Sequence, residues 1–193
     1  MTNLSRVTNW LWTGGDVRPD PQDSVADVRA IQRAGITHVI DCRLEWSDEA
    51  LFAVLAPEIT YLHHGVDDDG EGPPDWWFDL GVGFAMGALA EADSSVFTHC
   101  HMGINRGPTM AYAILLSLEW DPIEALETIR NARPIAAIGY AEEALDWYHR
   151  RHDVTPDERA IDQERLEGWR ERHEIDVAQI IRGIRSAEGT SYK

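Results

Sequence analysis

The sequence of 193 residues has only two cysteines, Cys42 and Cys100, and a single lysine, Lys193. Two cysteines cannot form the disulfide framework that stabilises small secreted domains. The longest runs without a charged residue are 12 residues (94–105 and 107–118), whereas a membrane-spanning helix needs roughly 18 or more apolar residues. Residues 1–20 lack the basic start and apolar run of a signal peptide. We therefore expect a protein of the reducing cytoplasm that has no membrane partner.

Positive charge is also scarce. The chain carries 17 basic and 34 acidic residues, so its formal net charge is −17. A field of this sign repels nucleic acids and anionic membranes, which excludes both as general partners. The hydrophobic fraction of 44% is ordinary for a globular protein and predicts a folded core.

Short apolar runs alternate with amphipathic segments along most of the chain. The runs predict four strands: Asn9–Thr13, Thr37–Asp41, Ile59–His63 and Ser95–His99. The segments between the strands have the three- and four-residue apolar spacing of helices. This alternation predicts an α/β fold with a central, mostly parallel sheet of four or five strands flanked by helices. In such sheets the functional groups lie beyond the C-terminal ends of the strands.

The C-terminal part has a different character. Thr155-Pro156-Asp157-Glu158 has the pattern of a helix-capping box, and the charged segment Arg159–Arg185 has one apolar helical face. We therefore divide the chain into a main α/β domain of residues 1–152 and a helical extension of residues 153–193. The extension either covers the domain or provides a surface for dimerisation or for a partner.

The segment with the most chemical information surrounds Cys100. A strand brings this cysteine into a glycine-containing turn that closes with Arg106 at the start of a helix. Backbone N–H groups of such a turn converge on one point, and the helix dipole adds positive potential there, so a thiolate is stabilised. The planar guanidinium of Arg106 can bind two oxygens of a tetrahedral oxyanion. The pattern predicts attack of a thiolate on a phosphoryl group.

The motif His99-Cys100-x-x-Gly103-x-x-Arg106 resembles the signature of the dual-specificity phosphatases, in the cysteine-dependent protein tyrosine phosphatase superfamily. The resemblance covers about residues 6–151 and includes Ala132-Arg133-Pro134, which is similar to a segment after the phosphate loop. It implies that Cys100 is the nucleophile, that Arg106 clamps the phosphate and that His99 helps to hold the thiolate. It also implies a substrate-binding loop of His101, Met102, Gly103, Ile104, Asn105 and Arg106.

A carboxylic acid above the phosphate site usually protonates the leaving oxygen. Asp67, Asp68 and Asp69 lie in an acidic loop after a predicted strand, and Asp68 occupies the position of the general acid in the family that the sequence resembles. Asp67 is the alternative.

One position departs from the family. The residue after the arginine is usually Ser or Thr, whose hydroxyl eases departure of the cysteine sulfur, but here it is Gly107. Thr109 is a partial substitute, although a helix turns about 200° over two residues. The departure raises doubt about the second chemical step more than the first.

Cys42 follows a predicted strand, as does a cysteine of a similar phosphoinositide phosphatase that bonds to its nucleophile under oxidation. Cys42 is thus a possible redox partner of Cys100; the alternative is a small buried apolar residue. The histidines near Cys100 lack the spacing of a zinc site, so we expect no metal.

The sequence predicts a phosphomonoester hydrolase, a protein tyrosine or dual-specificity phosphatase that works through a phosphocysteine intermediate without a cofactor. The alternatives are a catalytically impaired phosphate-binding module and a rhodanese-like sulfur transferase or arsenate reductase. The expected substrate is a phosphorylated protein or a small phosphomonoester such as a metabolite or nucleotide. Inositol lipids are disfavoured because the loop contains no lysine.

Overall fold

The computed structural model describes residues 3–191. These residues form five strands, β1 (Leu4–Arg6), β2 (Leu11–Gly14), β3 (His38–Arg43), β4 (Thr60–Val66) and β5 (Val96–His99). The helices are α1 (Pro21–Arg33), α2 (Glu49–Leu55), α3 (Asp75–Leu89), α4 (Arg106–Ser117), α5 (Pro122–Ala132), α6 (Ala141–Arg151), α7 (Pro156–Arg172) and α8 (Val177–Ser191).

The strands form one sheet in the order β1-β2-β5-β3-β4. β1 is antiparallel to β2, and the other neighbouring strands are parallel. The predicted α/β fold with a mostly parallel sheet is therefore confirmed. β1 was not predicted, because a strand of three residues is too short to show an alternating pattern.

Side chains that alternate along the strands produce a hydrophobic core on each face of the sheet. Val39 and Phe97 point to the core that α1 and α2 cover, whereas their neighbours Ile40 and Val96 point to the core beneath α3 and α4. Residues 110–116 of α4 are fully buried. This apolar helix anchors the segment after β5 in the centre of the molecule.

The predicted capping box is present at the start of α7. The hydroxyl of Thr155 accepts from the N–H of Glu158, and the Glu158 carboxylate accepts from the N–H of Thr155. Leu166 and Trp169 of α7 are buried in the same core as α4, α5 and α6. α7 therefore closes one side of that core.

Candidate active site

Cys100 lies directly after β5, a central strand of the sheet, and α4 begins six residues later at Arg106. We call residues 100–106 the cysteine loop. β2 and β3 flank β5 in parallel, so the segments that follow all three strands meet at the same edge of the sheet. This edge is where functional groups collect in open α/β sheets.

Four consecutive carbonyl groups of the cysteine loop accept hydrogen bonds from outside it. The pairs are His101 with the Asp16 N–H (3.0 Å), Met102 and Gly103 with the Arg133 guanidinium (2.7 and 2.5 Å), and Ile104 with the Ala137 N–H (2.7 Å). In a trans peptide the carbonyl and the following N–H point in opposite directions. Anchoring the carbonyls outside therefore turns the N–H groups of residues 102–105 towards the interior of the loop, where they can bind an anion.

Gly103 allows the loop to lie close to β2. Its φ of +63° is in the left-handed region, and an added Cβ would lie 2.4 Å from the carbonyl carbon of Gly14 and 2.5 Å from Nη2 of Arg133. Any other residue would push the loop away from both neighbours.

Arg133 is buried and connects the cysteine loop to the N-terminal segment. Besides its bonds to Met102 and Gly103, its guanidinium donates to Oδ1 of Asn3 (2.8 Å) and to Oγ of Ser5 (3.3 Å). Burial lowers the pKa of Arg133, and the nearby Cys100 opposes this effect. Arg133 thus adds positive charge behind the loop and holds its carbonyls.

Replacement of Arg133 by methionine is expected to weaken the binding of phosphate or tungstate about tenfold, because two loop carbonyls lose their donor. Titration calorimetry measures this affinity. Arg130→Met is the matched control, since Arg130 lies in the last turn of α5, which Arg133 caps, but donates to the carbonyl of His173. If both variants lower the affinity for the oxyanion equally and lower the melting temperature by the same amount, Arg133 supports only the fold.

Arg106 is buried, with one edge of its guanidinium engaged. Nη1 and Nη2 donate to the two carboxylate oxygens of Glu45 (2.9 and 2.8 Å), and Nη1 also donates to the carbonyl of Val66 (2.9 Å). Nε has no hydrogen-bond partner among the described residues, and the nearest carboxylate oxygen is that of Asp68 at 3.5 Å. The edge formed by Nε and Nη2 is therefore the part of the fork left for an oxyanion.

Glu45 is a site residue that the sequence analysis missed. It follows β3, so its position beyond a strand end was the available signal. The hydrogen bonds from Arg106 lower the pKa of Glu45. Burial alone would lower the pKa of Arg106, but Glu45, and then Cys100, raise it above its ordinary value. Glu45 therefore pairs with the charge of the guanidinium and fixes its orientation.

Both cysteines are buried and reduced. Cys42 lies on β3, next to β5, and is completely inaccessible. Burial, with a contribution from Cys100, raises the pKa of Cys42 well above its ordinary value. The Cys42 thiol therefore stays protonated, and it lies on the strand that neighbours the one leading to Cys100.

His99 lies at the end of β5, and its ring stacks on Phe97 with ring centroids 5.1 Å apart. Nε2 is 3.7 Å from Oδ1 of Asp41, and neither ring nitrogen has a hydrogen-bond partner among the described residues. Burial lowers the pKa of His99, and Asp41 opposes this effect only in part. The ring thus makes no hydrogen bond to Cys100. The predicted role of His99 in holding the thiolate is therefore not supported by a side-chain hydrogen bond.

Of the three candidate acids, Asp68 contacts the cysteine loop. Its Oδ1 accepts from Nδ2 of Asn105 (2.7 Å) and from the hydroxyl of Tyr140 (3.0 Å). Oδ1 of Asp67 instead accepts from the N–H of Asp68, and Oδ1 of Asp69 from the N–H of Glu71. The structure therefore brings Asp68 to Arg106 and leaves its two neighbours bonded within their own loop.

Asn105 and Tyr140 hold Asp68 against the cysteine loop. Oδ1 of Asn105 accepts from the N–H of Gly139 (2.6 Å), which fixes the amide so that its nitrogen points at Asp68. Burial raises the pKa of Tyr140 to about 12, so its hydroxyl remains a donor at neutral pH. Asn105, predicted to bind substrate, therefore also holds Asp68, the predicted acid.

The structure places no hydroxyl of residues 107–109 on Cys100. The φ of Gly107 is not positive, and an added Cβ would lie 3.0 Å from the backbone of His99 and 3.1 Å from the Cys100 nitrogen. The Thr109 hydroxyl is directed at Oδ1 of Asn105, 3.5 Å away. Thr109 therefore does not stand in for the missing Ser or Thr by a direct hydrogen bond.

No helix of the described residues 3–191 is long and apolar enough to cross a membrane. No group of three or more His, Cys, Asp or Glu side chains within the same part of the chain is arranged to hold a metal ion.

No protein-family model matches the sequence. Among solved structures, human DUSP28 is similar with a TM-score of 0.62 and 18% identity over 77% of this chain and 94% of that one. DUSP15 has a TM-score of 0.61 and 22% identity, over 86% and 97% of the two chains. PTPMT1 in complex with PI(5)P has a TM-score of 0.60 and 21% identity, over 77% and 98%. The chain thus has the fold of the dual-specificity and protein tyrosine phosphatases, as predicted.

Proposed function

We propose that this protein is a cysteine-dependent phosphomonoester hydrolase of the protein tyrosine or dual-specificity type. The main support is the unpartnered, buried Nε–H of Arg106, beside a loop whose carbonyls are anchored outwards. A buried donor without a partner is costly, and a tetrahedral oxyanion satisfies both this donor and the inward N–H groups. The fold, shared with phosphatases of this type, agrees with the proposal.

The proposed reaction has two displacements. The Cys100 thiolate attacks phosphorus, the bond from phosphorus to the leaving oxygen breaks, and Asp68 gives its proton to that oxygen. Asp68, now ionised, accepts a proton from water as the water attacks the phosphocysteine. The S–P bond breaks and returns the thiolate together with inorganic phosphate. Arg106 stabilises the negative charge on the phosphoryl oxygens in both steps.

A phosphorylated protein is the proposed substrate, with a small phosphomonoester as the alternative. PTPMT1 was crystallised with PI(5)P, so a phosphoinositide belongs in the test. A phosphate-release screen across phosphotyrosine and phosphoserine peptides, nucleotides and inositol phosphates distinguishes these classes. Cys100→Ser serves as the control in each assay, and its activity must fall to background wherever the wild type is active.

The contact between Asp68 and the cysteine loop favours a phosphatase over a rhodanese-like sulfur transferase. Transfer of sulfur to a thiolate or cyanide needs no proton for a leaving oxygen, so it does not explain an acid held by Asn105 and Tyr140. Phosphate release in the screen above, without sulfur transfer from thiosulfate, tests this choice.

Gly107 motivates a second candidate, an impaired enzyme that binds phosphate but turns over slowly. Without a hydroxyl near Cys100, departure of sulfur slows and the phosphocysteine accumulates. Rapid mixing with p-nitrophenyl phosphate is expected to show a burst of p-nitrophenol close to one equivalent per enzyme, followed by a slower steady state. A linear time course at millisecond resolution would show that hydrolysis of the intermediate is not limiting.

Gly107→Ser and Gly107→Ala separate the hydroxyl from the added Cβ. Both variants place a Cβ about 3.0 Å from the backbone of His99, so both strain the loop equally. We expect the serine variant to reach a steady-state rate about 10- to 100-fold above that of the alanine variant, since a hydrogen bond to a charged group is worth roughly 1.5–3 kcal/mol. Equal rates would remove the support for an impaired second step.

A cytoplasmic location and a partner surface on the C-terminal helices complete the proposal. Val177, Ile180, Ile181 and Ile184 lie on one face of α8 and are half-buried. Sedimentation analysis of the whole chain and of an Ile180→Gln/Ile184→Gln variant tests whether this face joins two copies.

A further inference from the structure

A cleft of about 820 Å³ opens beside the cysteine loop. The segments after β2, β3 and β5 line it, together with the first turns of α1 and α2. His101 belongs to both the cleft and the cysteine loop, and its carbonyl accepts a hydrogen bond from the N–H of Asp16, another lining residue. A group in this cleft therefore lies next to a phosphate bound in the loop.

The cleft is strongly acidic. Its lining contains the carboxylates of Asp16, Asp20, Asp23 and Asp48, against one arginine, Arg18. Arg18 is already bonded to Asp23 (2.8 Å) and to the buried Asp27 (2.7 Å). Four lining carboxylates and one arginine leave a formal charge of −3.

The groups behind the lining do not reverse this sign. The buried Arg43 is paired with the buried Asp41 (2.7 Å) and with Asp48 (2.6 Å). Arg43 also lies 3.6 Å from Asp16, whose Oδ2 bonds to Nδ1 of His101 (2.8 Å), and Asp27 adds a further negative charge. The N-termini of two helices add about +0.5 each. The charges of Arg43 and Asp41 cancel, and that of Asp27 offsets the two helix N-termini. The net charge of the cleft and the groups behind it therefore stays near −3, so the cleft attracts a cation and repels a second phosphate.

The cleft also offers an aromatic surface for a cation. Trp46 lines it and is 44% exposed, although it is one of the largest apolar side chains. The Arg43 guanidinium already lies 5.0 Å from the centre of its ring, and the His101 ring meets it edge-on at 5.3 Å. Aromatic rings attract guanidinium and ammonium groups. The apolar walls of Val17, Pro19 and Leu51 suit the methylene stem of a long basic side chain.

We propose that this acidic cleft binds an arginine or lysine side chain of the phosphorylated protein, one or two residues from the phosphorylated residue. An extended peptide advances roughly 3.3–3.6 Å per residue, so a basic side chain at that distance reaches a cleft that shares His101 with the loop. The inference rests on the proposed phosphatase function and adds a substrate preference to it.

The test uses phosphotyrosine peptides that are identical except for one position flanking the phosphotyrosine. That position carries arginine, its neutral isostere citrulline, or glutamate, and kcat/KM is measured for each. We expect the arginine peptide to exceed the citrulline peptide about tenfold in the preferred position, from one or two ion pairs and a cation–π contact. The preference should shrink at 0.5 M salt, because the side chains of Asp20 and Asp23 are accessible to solvent and therefore screened.

Asp20→Asn/Asp23→Asn is the cleft variant. Asn caps α1 as well as Asp does, and the partly exposed pair of Asp23 with Arg18 contributes little to stability. Glu164→Gln/Glu167→Gln, on the exposed side of α7, removes the same charge far from the cleft. The arginine-to-citrulline ratio should fall towards one in the cleft variant and stay unchanged in the α7 variant.

The outcomes separate the two proposals. Peptide hydrolysis with no arginine preference, with a glutamate preference, or with a preference that survives in the cleft variant overturns the inference while the phosphatase function stands. If the protein hydrolyses neither the peptides nor p-nitrophenyl phosphate, the proposed function is overturned, and the inference with it.

Discussion

Replacing Cys100 with serine is expected to lower turnover of p-nitrophenyl phosphate by at least about 10⁴-fold, the scale seen when a nucleophile is removed from a catalytic unit. A serine hydroxyl is not ionised at neutral pH and is a far weaker nucleophile than the thiolate that the proposed mechanism requires. Because the carbonyl bonds that shape the loop do not involve the Cys100 side chain, phosphate and tungstate should still bind.

Two measurements accompany this variant. Titration calorimetry with tungstate shows whether the loop remains formed, and steady-state kinetics show the loss of turnover. Cys42→Ala is the matched control, since Cys42 is a buried thiol of raised pKa on the neighbouring strand and should keep most of the activity. Turnover near that of the wild type in Cys100→Ser would remove the phosphatase proposal.

The cysteine loop could be predicted from sequence because its geometry depends on residues close together in the chain. A strand, Cys100, a glycine of positive φ and an arginine at a helix start lie within eleven residues, Val96 to Arg106. The order of apolar and polar segments likewise predicted four of the five strands, and β5 ends at His99 as predicted.

The partners of this loop could not be predicted, because they come from distant parts of the chain. Glu45 is 61 positions from Arg106, and Asp68 is 37 from Asn105. Which of them meet depends on the sheet order β1-β2-β5-β3-β4, which interleaves early and late strands. No local pattern encodes that order.

The choice among Asp67, Asp68 and Asp69 shows the same limit at the scale of one residue. All three have the same chemistry and lie in one acidic loop, so the sequence could rank them only by resemblance. Their carboxylates differ because Asn105 and Tyr140 both donate to Asp68. Those donors come from two other segments of the chain.

Asp68→Asn is expected to lower kcat for phenyl phosphate and phosphotyrosine by roughly 10²–10³-fold, the usual contribution of a positioned proton donor. The amide keeps an oxygen that accepts from Asn105 and Tyr140, so the loop should remain in place while the transferable proton is lost. A leaving group of low pKa departs without protonation, and the loss should therefore be several-fold smaller for p-nitrophenyl phosphate.

Asp67→Asn and Asp69→Asn are the matched controls, because they remove the same charge from the same loop. Each of these carboxylates accepts a hydrogen bond from a backbone N–H of its own loop, so both variants should change kcat less than about threefold, the scale of an ordinary surface substitution. Steady-state kinetics across a series of aryl phosphates give the dependence of rate on leaving-group pKa for each variant. A steeper dependence in Asp67→Asn than in Asp68→Asn would assign the acid to Asp67, and equal dependence in all three would mean that the proton comes from another group.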